Sequence, residues 1–477
     1  MARLPLTGGA YASASLIGAA QRCMNLFPES IPQSEGEPAP VTHLPTPGLR
    51  EVGRGGFGAW RAGAYRTTKG DLYAVNDAQL LRINSDFTCS QVALLSSSVG
   101  PVSMTDNGVD LVVVDGTGHG LFVALDTGIA TPISDQAFYG ADRVDFIGTA
   151  FVFNRPGTRQ WYLGNSIART FDPLYIANMG GRQEFVRSLA VVSSNLWLFG
   201  TDHTEIWTFS GAPDFPLQEL PGSGVEYGCI APHSLGRTDQ AVFWLSRSKD
   251  GLGIILEGSS YRAKRVSHHG VEVAIASYGD VSDAIGTTRY QGGHTFYVLT
   301  FPSADRTWAY DLATEQWHEW LSCDADGAEH RHRAAFMAGA FGQVIAGDCQ
   351  DGRLYAVDPA VFTEGAVPIR RQRSFPHAMR AGNRVSHKMF EADIQCGTIP
   401  STASATPPQV WLDWSYDRGA SFGNPVARSL GGTGQRQTLP TWRRLGIARD
   451  RVWRLTWDAP TFAPLNGAFV TSSSSAT

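Results

Sequence analysis

Three features of the sequence predict an all-β chain assembled from repeated small antiparallel sheets. Short apolar runs bounded by Gly, Pro, Asn and Asp recur along most of the 477 residues, the pattern of strands joined by tight turns. The 52 Gly and 26 Pro are spread throughout, so they punctuate segments and do not mark a collagen-like or disordered tract. The 13 Trp and 24 Phe favour strands over helices, and 17% charged residues is low for a helical surface. With 43% hydrophobic residues there is material for a sizeable core.

Residues 1–55 lack a sustained period. Pro28, Pro32, Pro38, Pro40, Pro45 and Pro47 favour an extended N-terminal arm laid over a surface, with Leu26, Phe27, Leu44 and Leu49 as anchors. From about Gly56 to Arg384 the chain is a succession of strand pairs. Asp71–Val75 turns at Asn76-Asp77 into Leu80–Ile83 and Ser90–Leu94. Asp110–Val114 is followed by Leu121–Leu125, then Val144–Ile147, Ala150–Phe153 and Gln160–Leu163. Leu189–Val192, Leu196–Phe199 and Glu205–Phe209 form a fourth unit, and Ala241–Trp244, Gly253–Leu256 and Tyr261–Val266 a fifth. The sixth is the clearest: Gly292-Gly293 opens the strand His294–Val298, Pro302–Asp305 turns into Thr307–Leu312, and a third strand carries Trp317. Val344–Asp348 and Arg353–Asp358 make a seventh, and Arg353–Val357 echoes Asp71–Val75.

Units recurring roughly every 42 to 52 residues have the spacing of propeller blades. The glycine pair, Tyr310-Asp311 and Trp317 resemble a kelch-type blade. The sequence therefore predicts a β-propeller over 56–384, of about seven blades with six as the alternative. A β-sandwich over 385–470 follows from Lys388–Cys396, Val410–Trp414, Gln435–Arg444 and Arg451–Trp457. Residues 471–477 read as a flexible Ser-rich tail.

The chemistry expected of this chain is sparse. Ser415, Asp417, Gly419 and Phe422 resemble an Asp-box hairpin of the kind sialidases carry, in which the Asp accepts turn amides, Gly permits positive φ and the aromatic packs beneath. The motif predicts a hairpin and assigns no catalysis. His330 and His332, between Arg331 and Arg333, and the pair His268-His269 are the histidine clusters. The adjacent arginines oppose a cation, so neither a metal nor any cofactor is expected. No G-x-S-x-G, Walker A or H-E-x-x-H motif appears, and no catalytic residue is assigned. Cys23, Cys89, Cys229, Cys323, Cys349 and Cys396 are scattered and read as reduced packing residues of a protein made in a cytoplasm. Nothing at the start reads as a secretion signal, and no apolar run is long enough for a membrane helix. The net charge of −5 argues against a nucleic-acid gripper. Two basic runs, Arg370, Arg371, Arg373, Arg380, Arg384 and Lys388, then Arg443, Arg444, Arg449, Arg451 and Arg454, are expected on an exposed face that meets acidic neighbouring subunits, with DNA phosphate contact as the alternative.

Gln21–Glu29, Leu44–Leu49, Thr295–Glu319, Gly347-Asp348, Gly352–Tyr355, Trp414–Gly419 and Arg444–Val452 together resemble the head-completion, or packaged-DNA-stabilisation, proteins of short-tailed bacteriophages, the tail hub or nozzle. The resemblance implies a homohexamer in the virion tail below the portal and its adaptor ring, with sites for a tail needle or plug and for spikes or fibres. It also implies a channel through which double-stranded DNA leaves, without membrane insertion. The rival reading is a propeller glycosidase or glycan-binding lectin.

Overall fold

Hairpin turns set the architecture. Asp77, at φ +49°, reverses the chain between Leu72–Asn76 and Gln79–Ile83. Gly292 (φ +55°) and Gly293 (φ +87°) do so between Ile285–Gln291 and His294–Phe301, and two consecutive positive φ angles are what a two-residue hairpin with the natural strand twist requires. The computed structural model describes residues 2–6, 9–11, 21–30, 41–180, 184–251, 253–379, 383–397 and 407–474.

Four-stranded antiparallel sheets run from Tyr65 to Leu94 (blade 1), Ser103 to Pro132 (blade 2), Val144 to Asn178 (blade 3), Ser188 to Glu219 (blade 4), Gly236 to Arg265 (blade 5) and Ile285 to Glu319 (blade 6). Blade 7 takes three strands from Ala334 to Asp358, and its outer strand, Gly48–Arg54, comes from the other end of the chain. The inner strand of blade 7, Ala334–Ala340, lies against that of blade 1, Tyr65–Arg66, so the ring closes. The expected repeat is thus a propeller of seven sheets.

Aromatic rings fill the spaces between blades. Trp161 of blade 3 meets Trp207 of blade 4, and Trp197 and Phe199 of blade 4 meet Trp244 of blade 5. Each such side chain removes roughly 150–250 Å² from water. Asp145, in blade 3, ties the inner strands. It accepts from Val191 N in blade 4 at 2.8 Å and from Arg237 Nη1 in blade 5 at 2.5 Å. Among the described residues the one helix is His269–Ala276, capped by His268 Nδ1, which accepts from Val271 N at 3.3 Å.

Blade 6 does not stop at Gln316–Glu319. Its edge pairs in parallel with Cys23–Met24, and the sheet continues through Arg371–Ser374, Val452–Trp457, Gln409–Ser415 and Val426–Ser429 to nine strands. Leu26–Ser30, Val41–Pro45, Leu465–Ser474, Val385–Ile394 and Thr441–Arg443 form the facing layer. One apolar core runs from Phe243 and Trp317 in the propeller to Phe390, Trp453 and Leu465 in the sandwich.

These strands redraw the expected boundaries. Instead of lying over a surface, the segment expected as an arm enters three sheets, because Cys23, Leu26, Phe27 and Leu49 can be buried only between layers. Arg371–Ser374, expected in the propeller, pairs with the sandwich strand Val452–Trp457. The expected flexible tail is strand as far as Ser474, paired with Val385–Ile394. Residues 475–477, most of the Thr398–Pro408 loop, and Pro32, Pro38 and Pro40 lie outside the described residues.

Candidate functional site

The Asp-box residues fold as a hairpin on the sandwich. Ser415 Oγ donates to Asp417 Oδ1 at 2.6 Å and accepts from Gly419 N at 2.8 Å. Asp417 Oδ1 also accepts from Ser421 N at 2.8 Å. Arg418 and Gly419 turn the chain at φ +63° and +91°. Hydrogen bonds from Ser415, then Ser421, draw the Asp417 carboxyl down to about 2. Phe422 packs against the Arg454 guanidinium at 3.8 Å, and Arg454 pairs with Asp413 at 2.5 Å. All four predicted residues therefore serve one turn and its support.

Gly419, Phe422 and Arg454 form one wall of a cleft of about 440 Å³, and Tyr278, Arg306 and Trp308 of the propeller side form another. Arg22 lies between them. Its Nη2 is 2.6 Å from Glu319 Oε2 and 2.7 Å from Glu329 Oε2, and its Nη1 donates to Gln372 Oε1 at 3.1 Å. Burial opposes the Arg22 charge, but Glu319 and Glu329 outweigh it and hold the guanidinium above its ordinary range. Burial likewise works against the Glu329 carboxylate, and its bonds to Arg22 override that and hold it low. A glycosidase needs one carboxyl kept protonated apart from a second that stays ionised. Here both carboxylates grip the same cation, so the cleft is built as a clamp. Sequence reading missed it because the partners stand 297 and 307 residues from Arg22, beyond any local spacing signal.

The histidine clusters separate. His330 Nδ1 sits 2.8 Å from Asp305 Oδ2 and Nε2 is 3.4 Å from Asp324 Oδ2, and these aspartates raise its affinity for a proton. His332 is buried and pushed down to about 3, first by burial and then by Arg289. Among the described residues no three His, Cys, Asp or Glu side chains gather as metal ligands. The six cysteines are free thiols.

The basic runs correct the expectation of an exposed face. Arg371, Arg373 and Arg451 are fully buried, and Arg370 Nη1 donates to Gly327 O at 2.8 Å. The strand Arg371–Ser374 is interior to its nine-stranded sheet, and all four of its residues are buried. Arg384, Lys388, Arg443, Arg444 and Arg449 are exposed, and Arg380 lies outside the described residues.

The chain is thus a seven-bladed propeller welded to a sandwich, with the cleft between them closed by an internal clamp. Residues 2–362 match the phage stabilisation family described as bacteriophage P22 Gp10, β-propeller, and residues 370–473 match bacteriophage P22 Gp10, β-sandwich. The chain belongs to this family of head-completion and stabilisation proteins of short-tailed phages. No curated protein matches the sequence. A crystal structure of the computationally designed Ika8 protein is similar at 14% identity and a TM-score of 0.41, covering 65% of this chain and 99% of that one. Among the described residues no helix is long and apolar enough to cross a membrane.

Proposed function

We propose that the chain is one subunit of a six-copy tail hub that closes the portal and adaptor channel, helps retain packaged DNA and forms the conduit for its exit. Family membership supports the virion setting. The observation that carries the mechanical part is the nine-stranded sheet shared by blade 6 and the sandwich, since a hub that transmits force between a head and an appendage needs domains that cannot swing apart. The subunit works without catalysis or cofactor, assembles in the host bacterial cytoplasm, and receives a needle or plug below and spikes or fibres at its side.

DNA passes without tight binding. Each phosphate neutralised by Lys or Arg strengthens binding through counterion release, so a basic channel wall would drag on a moving duplex. The net charge of −5 and the burial of Arg371, Arg373 and Arg451 both favour a weakly interacting wall. Cryo-electron microscopy of the full chain mixed with a portal–adaptor complex tests the reading. Six copies in a closed ring on the adaptor are expected. Failure to bind the adaptor, or a closed assembly of another copy number, overturns it. Submicromolar duplex binding near physiological salt, lost in the Arg443→Gln, Arg444→Gln, Arg449→Gln variant, would make the ring a DNA clamp instead.

A further inference from the structure

Among the described residues three arginines are fully buried, and two of them have a neighbour that accounts for the charge. Arg371 lies 5.3 Å over the Phe362 ring, with Asp458 exerting an attractive field. Arg451 is 4.7 Å from the Tyr416 ring and 4.9 Å from that of Trp453. Aromatic faces attract a guanidinium. Arg373 has neither. Its relative exposure is 0% and its Nη1 makes a long 3.4 Å contact with Gly9 O; its Nε and Nη2 have no partner, as in Arg371 and Arg451, but no aromatic face or carboxylate stands in for one.

The neighbours of Arg373 deepen the imbalance. Cys23 is its register partner across the sheet, and His318 stands beside Cys23, because Met24 pairs with Glu319. Three adjacent strands thus place Cys23, His318 and Arg373 on one face. His43, from the facing layer, is close enough for Arg373 and His318 to depress its proton affinity, after burial. Both imidazoles are 0% exposed, and all four of their ring nitrogens are unpartnered. Among the described residues no carboxylate acts on Arg373; the group that does, through its field and a hydrogen bond, is the Cys23 thiol, which burial pushes up to about 11 and keeps neutral. Leu455 and Ala309 lie opposite Arg373 and His318 and add no polar atom. A buried cation with unsatisfied donors is costly unless a countercharge meets it.

We propose that Arg373, His318 and His43 form an internal site for one monovalent halide-type anion, chloride in the cell, which pins the propeller edge, the N-terminal strand and the sandwich together. The charge matches. At neutral pH Arg373 supplies one positive charge, while burial holds His318 down at about 3 and His43 well below its ordinary range, so both rings are neutral N–H donors. A divalent oxyanion would leave a charge uncompensated. The anion replaces the missing carboxylate and accepts from Arg373 and from the one N–H that each neutral imidazole carries.

Crystals of the full chain grown in sodium bromide, with data at the bromine absorption edge, test the site directly. The expected result is an anomalous peak in contact with Arg373, His318 and His43. Bromide peaks confined to the surface, or a site holding water alone, overturn the proposal. In solution, Tm should rise with chloride when chloride replaces gluconate at constant ionic strength, and Arg373→Met should abolish that dependence. If Arg373→Met does not fold, His318→Phe serves in its place, and an undiminished chloride response in the folded variant counts against the site.

Discussion

Between blades 3, 4 and 5 the buried side chains are Trp161, Trp197, Phe199 and Trp244, apolar rings from strands close in sequence. At the seam between blade 6 and the sandwich, equally buried positions hold Arg373, His43 and His318, with the Arg22 clamp beside them. The seam joins strands from both ends of the chain: Cys23–Met24 sits between Gln316–Glu319 and Arg371–Ser374. The blades are held by packing of local repeats, with Asp145 as a polar tie among blades 3 to 5, and the seam adds polar groups drawn from both ends of the chain, whose partners must all arrive together. A packed blade tolerates wear in any one contact, whereas the seam forms only in one register.

The largest loss is expected where the two regions meet. Trp317 is fully buried in blade 6, and its Nε1 donates to Val266 O at 2.9 Å. Trp317→Ala should cost about 3–5 kcal/mol through the cavity it leaves, read by urea unfolding. An unchanged midpoint would remove Trp317 from the load path. Arg22→Met should cost about 2–4 kcal/mol, discounted for partial exposure, because Glu319 and Glu329 are left facing one another without a cation. Adding Glu319→Gln and Glu329→Gln to that variant should restore part of the loss. No restoration would show that Arg22 acts by packing alone.

Acid should weaken the fold, in part through the seam histidines. The folded state holds His43 and His318 neutral far below the ordinary histidine range, burial being the first cause. The unfolded chain therefore binds more protons once the pH drops below about 6.5, and stability falls with it. Each histidine contributes up to ~1.4 kcal/mol per pH unit between about pH 6.5 and 4. Denaturant titrations across that range should show the decline, and His43→Gln with His318→Gln should remove the share these two supply, leaving that of His233, His332 and His387, which burial also holds low. An identical slope in that variant would place the acid sensitivity elsewhere. The smallest effect is expected at the Asp-box. Asp417→Ala should speed amide exchange of Gly419 and Ser421 and leave the global midpoint unchanged, whereas a large drop in midpoint would make this hairpin part of the seam.

The same contrast explains what the sequence made legible. Blade strands repeat locally, so Asp71–Val75 and Arg353–Val357 could be matched by eye, and Asn76-Asp77 and Gly292-Gly293 announced their turns. The Asp-box was readable because its acceptor and donors lie within a few residues of each other. Arg371 and Arg373 were read as exposed because a charge run ordinarily is a solvated face. Only the pairing of their strand with Cys23–Met24 and Val452–Trp457 buries them, and strand partners so distant leave no periodic trace. Proline density similarly suggested a surface arm, although Leu26–Ser30 and Val41–Pro45 pair as a hairpin in the facing layer.

The central claim is that propeller and sandwich form one mechanical unit through the shared nine-stranded sheet. Differential scanning calorimetry of the full chain tests it most directly. One transition, with calorimetric and van't Hoff enthalpies in agreement, is the predicted result. Two resolved transitions, with the sandwich melting while the propeller stays folded, would contradict it.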